Sequence, residues 1–252
     1  MRDDELMETR MRCVLPTFDL AEMLRCGREI RRVIGAASTF EEGAQHMCEL
    51  LYDGLVDTDG ATRACVLVRC FKTHPLGGLP EDLRASVAEG EAALSPSSKT
   101  LMLVGTSGAE PAWKSRRRSK GHKAIPLPSA DVVKQAPMIA GLLSDLGVEI
   151  QHLVAPQPTT VRDVATKTYG VFYVEDAAGS PLIPAQDDFV APYGVKSVIG
   201  CGGELPRDEM FATILFCRVP VPQQVAERFR TLALDMKSSF FSFSPGQMFQ
   251  TA

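Results

Sequence analysis

Hydrophobic positions near the start of the chain repeat at helical spacing. After Asp19, apolar residues follow with a period close to 3.6, and Glu22 completes a capping box, which predicts a helix over roughly 20–35. A second predicted helix begins at Thr39, with Glu42 three residues later and an apolar stripe behind it. Few residues separate the two helices, so we expect them to pack as neighbours.

The pattern then changes to short runs of β-branched and aromatic residues, which are typical of strands. Proline and glycine bound most of these runs, and Pro137 predicts a break or restart within a helical stretch that Ser129 caps. A last amphipathic stripe between 225 and 240 predicts a terminal helix. The predicted strands cover 64–71, 101–105, 149–154, 169–174, 197–203 and 210–219. The last two are close enough for an antiparallel hairpin. Because helices and strands do not alternate one for one, an α+β fold with one antiparallel sheet is favoured over a doubly wound parallel sheet.

The composition is that of an ordinary globular protein, with 252 residues, 45% of them hydrophobic and 23% charged. We find no repeat and no shift in composition, which predicts one domain over 18–240, an N-terminal arm over 1–17 and a C-terminal tail over 241–252. The longest apolar runs are under half of the ~20 residues that a membrane span needs. An acidic start is unlike a secretory signal, so a cytoplasmic protein is expected.

Seven cysteines occur without a C-x-x-C pair, which indicates reduced thiols and not a disulfide framework or a zinc site. Four histidines lie far apart without the spacing of metal ligands, so no metal site is predicted. No pattern in the sequence identifies a cofactor. Cys201, between glycines, is the cysteine that we expect in a loop, where a reactive thiol is conceivable.

A basic segment is the main local departure from the net charge of −4. Residues 114–123 hold six of the 27 lysines and arginines, and Trp113 precedes them. Arginine presents a planar fork that matches phosphate and carboxylate oxygens in pairs, so the segment is a candidate anion site. The alternative is a solvated positive surface, with Trp113 packed into the core.

Several blocks of sequence resemble a branch of bacterial GAF-type sensor domains over roughly 18–240. They are 71–75 (Phe-Lys-Thr-His-Pro), 111–113 (Pro-Ala-Trp), 116–119 (Arg-Arg-Arg-Ser), 121–122 (Gly-His), 124–128 (Ala-Ile-Pro-Leu-Pro), 136–139 (Ala-Pro-Met-Ile) and 211–220. The resemblance implies a central antiparallel sheet with amphipathic N- and C-terminal helices packed on one face. It also implies bacterial signal transduction through a homodimer, with a histidine kinase or a cyclase as partner.

The expected function is non-catalytic sensing of a small molecule, with an anion as one candidate. The expected pocket lies over one sheet face and is coupled to the terminal helices. No membrane or nucleic-acid partner is expected, and a Cys-His dipeptide for covalent bilin attachment is absent. In this hypothesis Arg116 and Arg117 pair with the anion, Trp113 or Tyr193 stacks on it and His122 donates a hydrogen bond. The predicted ligand-binding residues are Arg69, Trp113, Arg116, Arg117, His122, Tyr173 and Tyr193.

Two alternatives remain open. The chain could be a GAF-fold thiol enzyme resembling the free methionine sulfoxide reductases, with Cys201 or another cysteine as nucleophile. It could also be a dimerising adaptor whose pocket is filled and binds no ligand.

Overall fold

The computed structural model describes residues 11–87, 94–154 and 170–249. The strands are β1 (Cys13–Val14), β2 (Leu55–Val56), β3 (Cys65–Pro75), β4 (Lys99–Gly108), β5 (Ala124–Pro126), β6 (Phe172–Val174), β7 (Ser197–Leu205) and β8 (Glu209–Cys217). The α-helices are α1 (Leu20–Gly35), α2 (Phe40–Gly54), α3 (Glu81–Arg84), α4 (Ala130–Lys134), α5 (Pro137–Asp145), α6 (Ile150–Val154), α7 (Ala191–Tyr193), α8 (Gln223–Ala226) and α9 (Phe229–Phe240). Short 3₁₀ helices cover Leu15–Thr17, Leu76–Gly78, Pro111–Trp113 and Pro245–Gln247, and a π-helical turn covers Gln186–Val190.

Six strands form one antiparallel sheet in the order β5-β4-β3-β8-β7-β6. The expected α+β class is therefore confirmed. β3 lies at the centre, between β4 and β8, so side chains along it point into the protein on both faces. Arg69 is opposite Thr106 of β4 and Ile214 of β8, and Lys72 is opposite Phe211.

One face of the sheet is covered by α2 and α9, with α1 packed across both helices. The approach is close, because a Cβ on Gly105 of β4 would lie 2.4 Å from the carbonyl oxygen of Ala44 in α2. The architecture that the resemblance implies, a central antiparallel sheet with its terminal helices on one face, is confirmed.

Helices α4, α5 and α6, together with the segment 177–195, cover the other face. Their apolar side chains form a second core with those of the sheet, including Leu142, Leu143 and Phe172. The two cores meet opposite faces of β3: Val68 and Cys70 belong to the helix-side core, whereas Leu67 and Phe71 belong to the second core.

The helix starts follow the predicted capping chemistry. Asp19 accepts a hydrogen bond from the backbone of Glu22, whose side chain accepts one in return, and α1 begins at Leu20. Thr39 caps α2 through the backbone N–H of Glu42. The predicted restart at a proline also occurs, at the first residue of α5.

Three predicted elements are wrong in type or extent, one of them the strand predicted over 101–105, which is β4 over Lys99–Gly108. The strand predicted over 149–154 is the helix α6, and it follows Gly147, whose φ of +68° ends α5 and redirects the chain. β3 does not stop at 71 but continues through His74 to Pro75, because β4 pairs with it along this whole stretch. The extension adds two ionisable residues, Lys72 and His74, to the strand.

Segments outside the predicted domain also pack against it. Cys13 and Leu15 are fully buried, and β1 pairs in parallel with β2. In the predicted tail, the carbonyl oxygen of Met248 accepts a hydrogen bond from the backbone of Glu41 in α2. Within the described ranges, no helix has both the length and the apolar character required to cross a membrane.

Candidate ligand-binding sites on the two faces of the sheet

Two cations lie three residues apart on the central strand β3 and point to opposite faces. Lys72 faces the helices, since its Nζ lies 5.6 Å from the ring centre of Phe40 at the start of α2. Side chains alternate along a strand, and Val68 and Cys70 face the helix-side core, so Arg69 between them points to the other face.

Lys72 is 4% exposed and forms an ion pair with Glu209, the first residue of β8. Its Nζ also donates a hydrogen bond to the carbonyl oxygen of Thr73 at 3.0 Å. Burial lowers the pKa of Lys72, and the carboxylate of Glu209 opposes that effect. The ammonium group is thus largely shielded from water and is paired with one carboxylate.

Glu209 contacts a second base, because its Oε1 lies 3.5 Å from Nδ1 of His74. The geometry of this contact is not that of a hydrogen bond, since Nδ1 is a buried atom without a hydrogen-bond partner. Burial alone would raise the pKa of Glu209, but the neighbouring His74 and Lys72 outweigh it and hold the pKa below its ordinary value. The carboxylate is therefore the ionised centre of a lysine–glutamate–histidine cluster.

A cavity of about 200 Å³ opens beside this cluster. It lies between the end of β3, the hairpin turn that joins β7 to β8, the start of α2 and the residues that follow α9. Its walls are Phe40, Lys72, His74, Leu205, Pro206, Arg207, Glu209, Phe240, Phe241, Phe243, Ser244, Pro245 and Met248. Four phenylalanines and a methionine make one side apolar, while cations and one carboxylate make the other side polar.

The hairpin turn shapes the polar side of the cavity. Three residues, 206–208, connect the paired Leu205 and Glu209, and Arg207 and Asp208 among them have φ of +67° and +53°, in the left-handed region that few non-glycine residues adopt. Lys99, at the start of β4, is also buried and donates a hydrogen bond to the carbonyl oxygen of Arg207 at 3.4 Å. The aromatic side is fixed by Phe40 and Phe240, whose rings stack at 4.1 Å.

The other face holds most of the residues predicted from sequence. Trp113 and Tyr193 pack with their rings tilted by 54° and their ring centres 4.7 Å apart, and both contact Phe189. The hydroxyl of Tyr193 donates a hydrogen bond to Glu110 at 3.2 Å. The structure thus joins the tryptophan to the 189–193 segment, as the predicted site requires, and does so as a packed aromatic cluster.

Arg69 and His122 lie near this cluster, under the basic segment. Nη2 of Arg69 donates a hydrogen bond to Oγ of the buried Ser119 at 3.2 Å, and the buried Nε has no hydrogen-bond partner among the described residues. Burial lowers the pKa of Arg69. Burial and the charge of Arg69 lower the pKa of His122, which has a φ of +54°.

Arg116 has a different role from the predicted one. It is 4% exposed, its Nε donates to Glu41 of α2 at 2.8 Å, and its Nη1 donates to Asp82 of α3 at 2.5 Å. Two protein carboxylates thus occupy this guanidinium, which ties the basic segment to the helix layer. Arg117 is exposed, and its carbonyl oxygen accepts a hydrogen bond from Lys123.

Tyr173 is not brought to the other predicted residues. It lies on the edge strand β6, packs against the helix-side core and donates a hydrogen bond from its hydroxyl to the carbonyl oxygen of Val221. The predicted set therefore divides between two faces. Sequence reasoning gave no role to Lys72, His74 or Glu209, because the acid that unites them is 137 residues from the lysine.

All seven thiols are buried and unpaired. Cys201 lies inside β7 and not in the expected loop, because the flanking glycines belong to the strand, where Gly202 allows close contact with β8. Burial raises the pKa of Cys201 to about 12. In the described part of the chain, no group of three or more histidine, cysteine and acidic side chains could hold a metal ion.

Comparison with known proteins gives structural likenesses alone. No protein-family model matches the sequence, and no curated protein matches it. Free methionine-R-sulfoxide reductase from Neisseria meningitidis, in complex with its substrate, is similar at 11% identity, a TM-score of 0.47 and 92% and 96% coverage of this chain and that one. The reduced form of fRMsr from Staphylococcus aureus shows 10% identity, a TM-score of 0.44 and coverage of 86% and 94%. The GAF domain of an Acinetobacter phosphoenolpyruvate-protein phosphotransferase shows 12% identity, a TM-score of 0.41 and coverage of 86% and 91%.

Proposed function

We propose that this chain is a regulatory domain that binds a small molecule in the cavity beside Lys72 and Glu209. The observation that carries the proposal is the position of the cavity. Phe40, the first residue of α2, and Phe240, the last residue of α9, stack on each other in its wall. A ligand in contact with these rings would act directly on the ends of two helices of the layer on the sheet.

The wall favours a small organic acid. Phenylalanine rings would bury an apolar body, while Arg207, His74 and Lys72 would attract an anionic head group. Glu209 neutralises part of this positive charge, so the balance favours one carboxylate rather than a polyanion. The volume lies below the about 300–1,000 Å³ of pockets for drug-sized ligands, which indicates a metabolite of few heavy atoms.

The proposal extends to the output of the domain. Occupancy would change the order of α9 and of residues 241–249, and a partner would read that change. The partners expected from the resemblance, a second copy of the chain and a histidine kinase or cyclase, belong to this proposal, as does a cytoplasmic location.

The test is a thermal-shift and calorimetric titration of the full chain with phenylacetate, with phenylacetamide as the neutral control. We expect saturable binding of the acid, at least about tenfold weaker binding of the amide and a similar loss in Arg207→Ala, because each change removes one charge-assisted contact. Arg118→Ala, which alters an exposed arginine outside the cavity, should bind as the wild type does. Equal weak effects of acid and amide in all variants would overturn the proposal.

Hydrogen exchange reports the coupling. In the presence of saturating phenylacetate, amides of α9 and of 241–249 should exchange more slowly than without it, while those of α4 and α5 should not change. Protection confined to residues of the sheet would contradict transmission through α9.

Thiol catalysis is the alternative proposal, and nothing in the geometry favours it. The Cys201 thiol is buried with a raised pKa, whereas a nucleophilic thiol needs access and a lowered pKa. An assay of the reduced chain with free methionine sulfoxide decides between the two. Turnover that is lost in Cys201→Ser would replace the sensing proposal with an enzyme.

A further inference from the structure

A second feature, separate from the cavity, is a cation that lacks a carboxylate partner. Arg69 lies in the central strand, and the one hydrogen bond of its guanidinium to the described residues is that from Nη2 to Ser119 Oγ at 3.2 Å. Its buried Nε has no acceptor. Arg116, by contrast, holds two carboxylates, and Lys72 holds one.

The sequence around Arg69 explains this lack. The segment that covers it contains no aspartate or glutamate from 111 to 130. Three acids beside this segment contact other groups, since Glu41 and Asp82 bind Arg116 and Glu110 accepts from Tyr193. A half-buried charge with no counter-charge among the described residues is poorly compensated, so an anion from solution would be stabilised beside it.

The surroundings of Arg69 are those of an oxyanion site. Ser119 is buried, and its hydroxyl is already oriented between Arg69 and the carbonyl oxygen of Gly121 at 3.3 Å. His122 directly follows Gly121, whose carbonyl oxygen accepts from Ser119, and burial together with the charge of Arg69 lowers its pKa. Arg117, Arg118 and Lys120 are exposed along the same segment and would raise the local concentration of anions.

We propose that Arg69, Ser119 and His122 bind one oxyanion, a phosphate or carboxylate group, beneath the basic segment. The guanidinium supplies the charge and N–H donors, and His122 supplies a further polar contact. The hydroxyl of Ser119 would turn its proton from the carbonyl oxygen of Gly121 to the anion. Bound there, the anion would strengthen the connection of β3 to the segment 113–123, which the hydrogen bonds from Thr106 Oγ1 to the carbonyl oxygen of Trp113 at 3.1 Å and from Arg69 to Ser119 already join to the sheet.

The test is a titration of the full chain with inorganic phosphate, followed by calorimetry and by the ³¹P line width, with chloride holding the ionic strength constant. The variants are Arg69→Met, which keeps the length of the buried stem, Ser119→Ala, and Arg117→Met as the matched control on an exposed arginine. We expect saturable phosphate binding to the wild type, a loss of about tenfold or more in Arg69→Met and a smaller loss in Ser119→Ala. Arg117→Met should stay within about threefold of the wild type, since an exposed charge contributes little.

A parallel titration with acetate separates the two possible sources, because a carboxylate site would bind acetate and a phosphate site would discriminate against it. Equal phosphate affinity of Arg69→Met and wild type, or no saturable binding to the wild type, would overturn the inference. If Arg69→Met does not fold in chloride, Ser119→Ala and Arg69→Lys provide the same comparison. Unaltered phenylacetate binding by Arg69→Met distinguishes this site from the cavity.

Discussion

Lys72 and Arg69 lie on the same strand, three residues apart, and yet their surroundings differ in one essential respect. Lys72 faces a carboxylate that β8 brings to it, and His74 shares that carboxylate. Arg69 faces a segment without acids, and its one hydrogen-bond partner in the described part of the chain is a hydroxyl. The comparison shows that the charge balance of a buried cation is set by distant parts of the chain, which the topology places on each face of the sheet.

We therefore expect the charge of Lys72, which is paired with Glu209, to stabilise the fold, and the charge of Arg69 to destabilise it. Removing the carboxylate of a buried ion pair leaves a desolvated charge behind, which is among the most destabilising of single changes. Removing a buried cation that has no carboxylate costs little, because the folded state then no longer holds an uncompensated charge.

The largest expected effect belongs to Glu209→Gln. The amide has nearly the same shape but no charge, so the buried ammonium of Lys72 loses its counter-charge. With 5% and 17% of the two side chains exposed, we expect the free energy of unfolding to fall by about 3 kcal/mol, the low end for a broken buried pair. Denaturant unfolding followed by far-UV circular dichroism measures the change.

Glu227→Gln is the matched control, since Glu227 pairs with Arg230 on the surface of the C-terminal region with 45% of each side chain exposed. We expect a change of at most about 0.5 kcal/mol there, as for other exposed pairs. A loss of the same size in both variants would show that Lys72 does not depend on Glu209.

The same contrast should appear in the dependence of stability on pH. Because the folded pKa of Glu209 lies below its ordinary value of 4.5, its contribution is complete above that value and is lost as pH falls through the lowered folded pKa. The difference in unfolding free energy between wild type and Glu209→Gln should thus be constant near neutral pH and shrink in acid. A difference that grew on acidification would contradict a lowered pKa.

Lys72→Met should have a smaller effect than Glu209→Gln. The methionine replaces most of the buried stem, and Glu209 keeps His74 as a neighbour beside the cavity. We expect a loss of about 1 kcal/mol, against no more than about 0.5 kcal/mol for Lys134→Met on the exposed helix α4. If Lys72→Met lowered the unfolding free energy more than Glu209→Gln does, an unpaired carboxylate of Glu209 would cost more than an unpaired ammonium group of Lys72.

Much of the fold follows from local sequence. The caps at Asp19 and Thr39 and the restart at Pro137 are short-range signals, and each helix begins where its signal predicts. The closing hairpin is likewise local. The failed prediction at 149–154 has a short apolar run with no clear period, and there the left-handed Gly147, rather than residue preference, decides the path of the chain.

The candidate sites were less accessible to sequence reasoning. The cluster of cations at 114–123 identified the region around Arg69, but composition alone does not reveal that Arg116 turns inward to Glu41 while Arg69 receives no acid. The cavity was missed because it joins Phe40, Lys72 and Phe240, which no local pattern relates. Such sites depend on long-range register, which a single sequence does not specify.

Arg69→Met is the smallest expected effect and the sharpest test of the comparison. In chloride, without phosphate, the variant removes a half-buried cation that has no carboxylate among the described residues, so the unfolding free energy should stay unchanged or rise by about 1 kcal/mol. For Glu209→Gln, on the other face, we expect the unfolding free energy to fall, although the two residues belong to the neighbouring strands β3 and β8. Denaturant midpoints measured side by side, with equal slopes, provide the comparison. A loss of about 2 kcal/mol or more in Arg69→Met would show that the protein itself compensates this charge, and that the contrast between the two faces is not one of pairing.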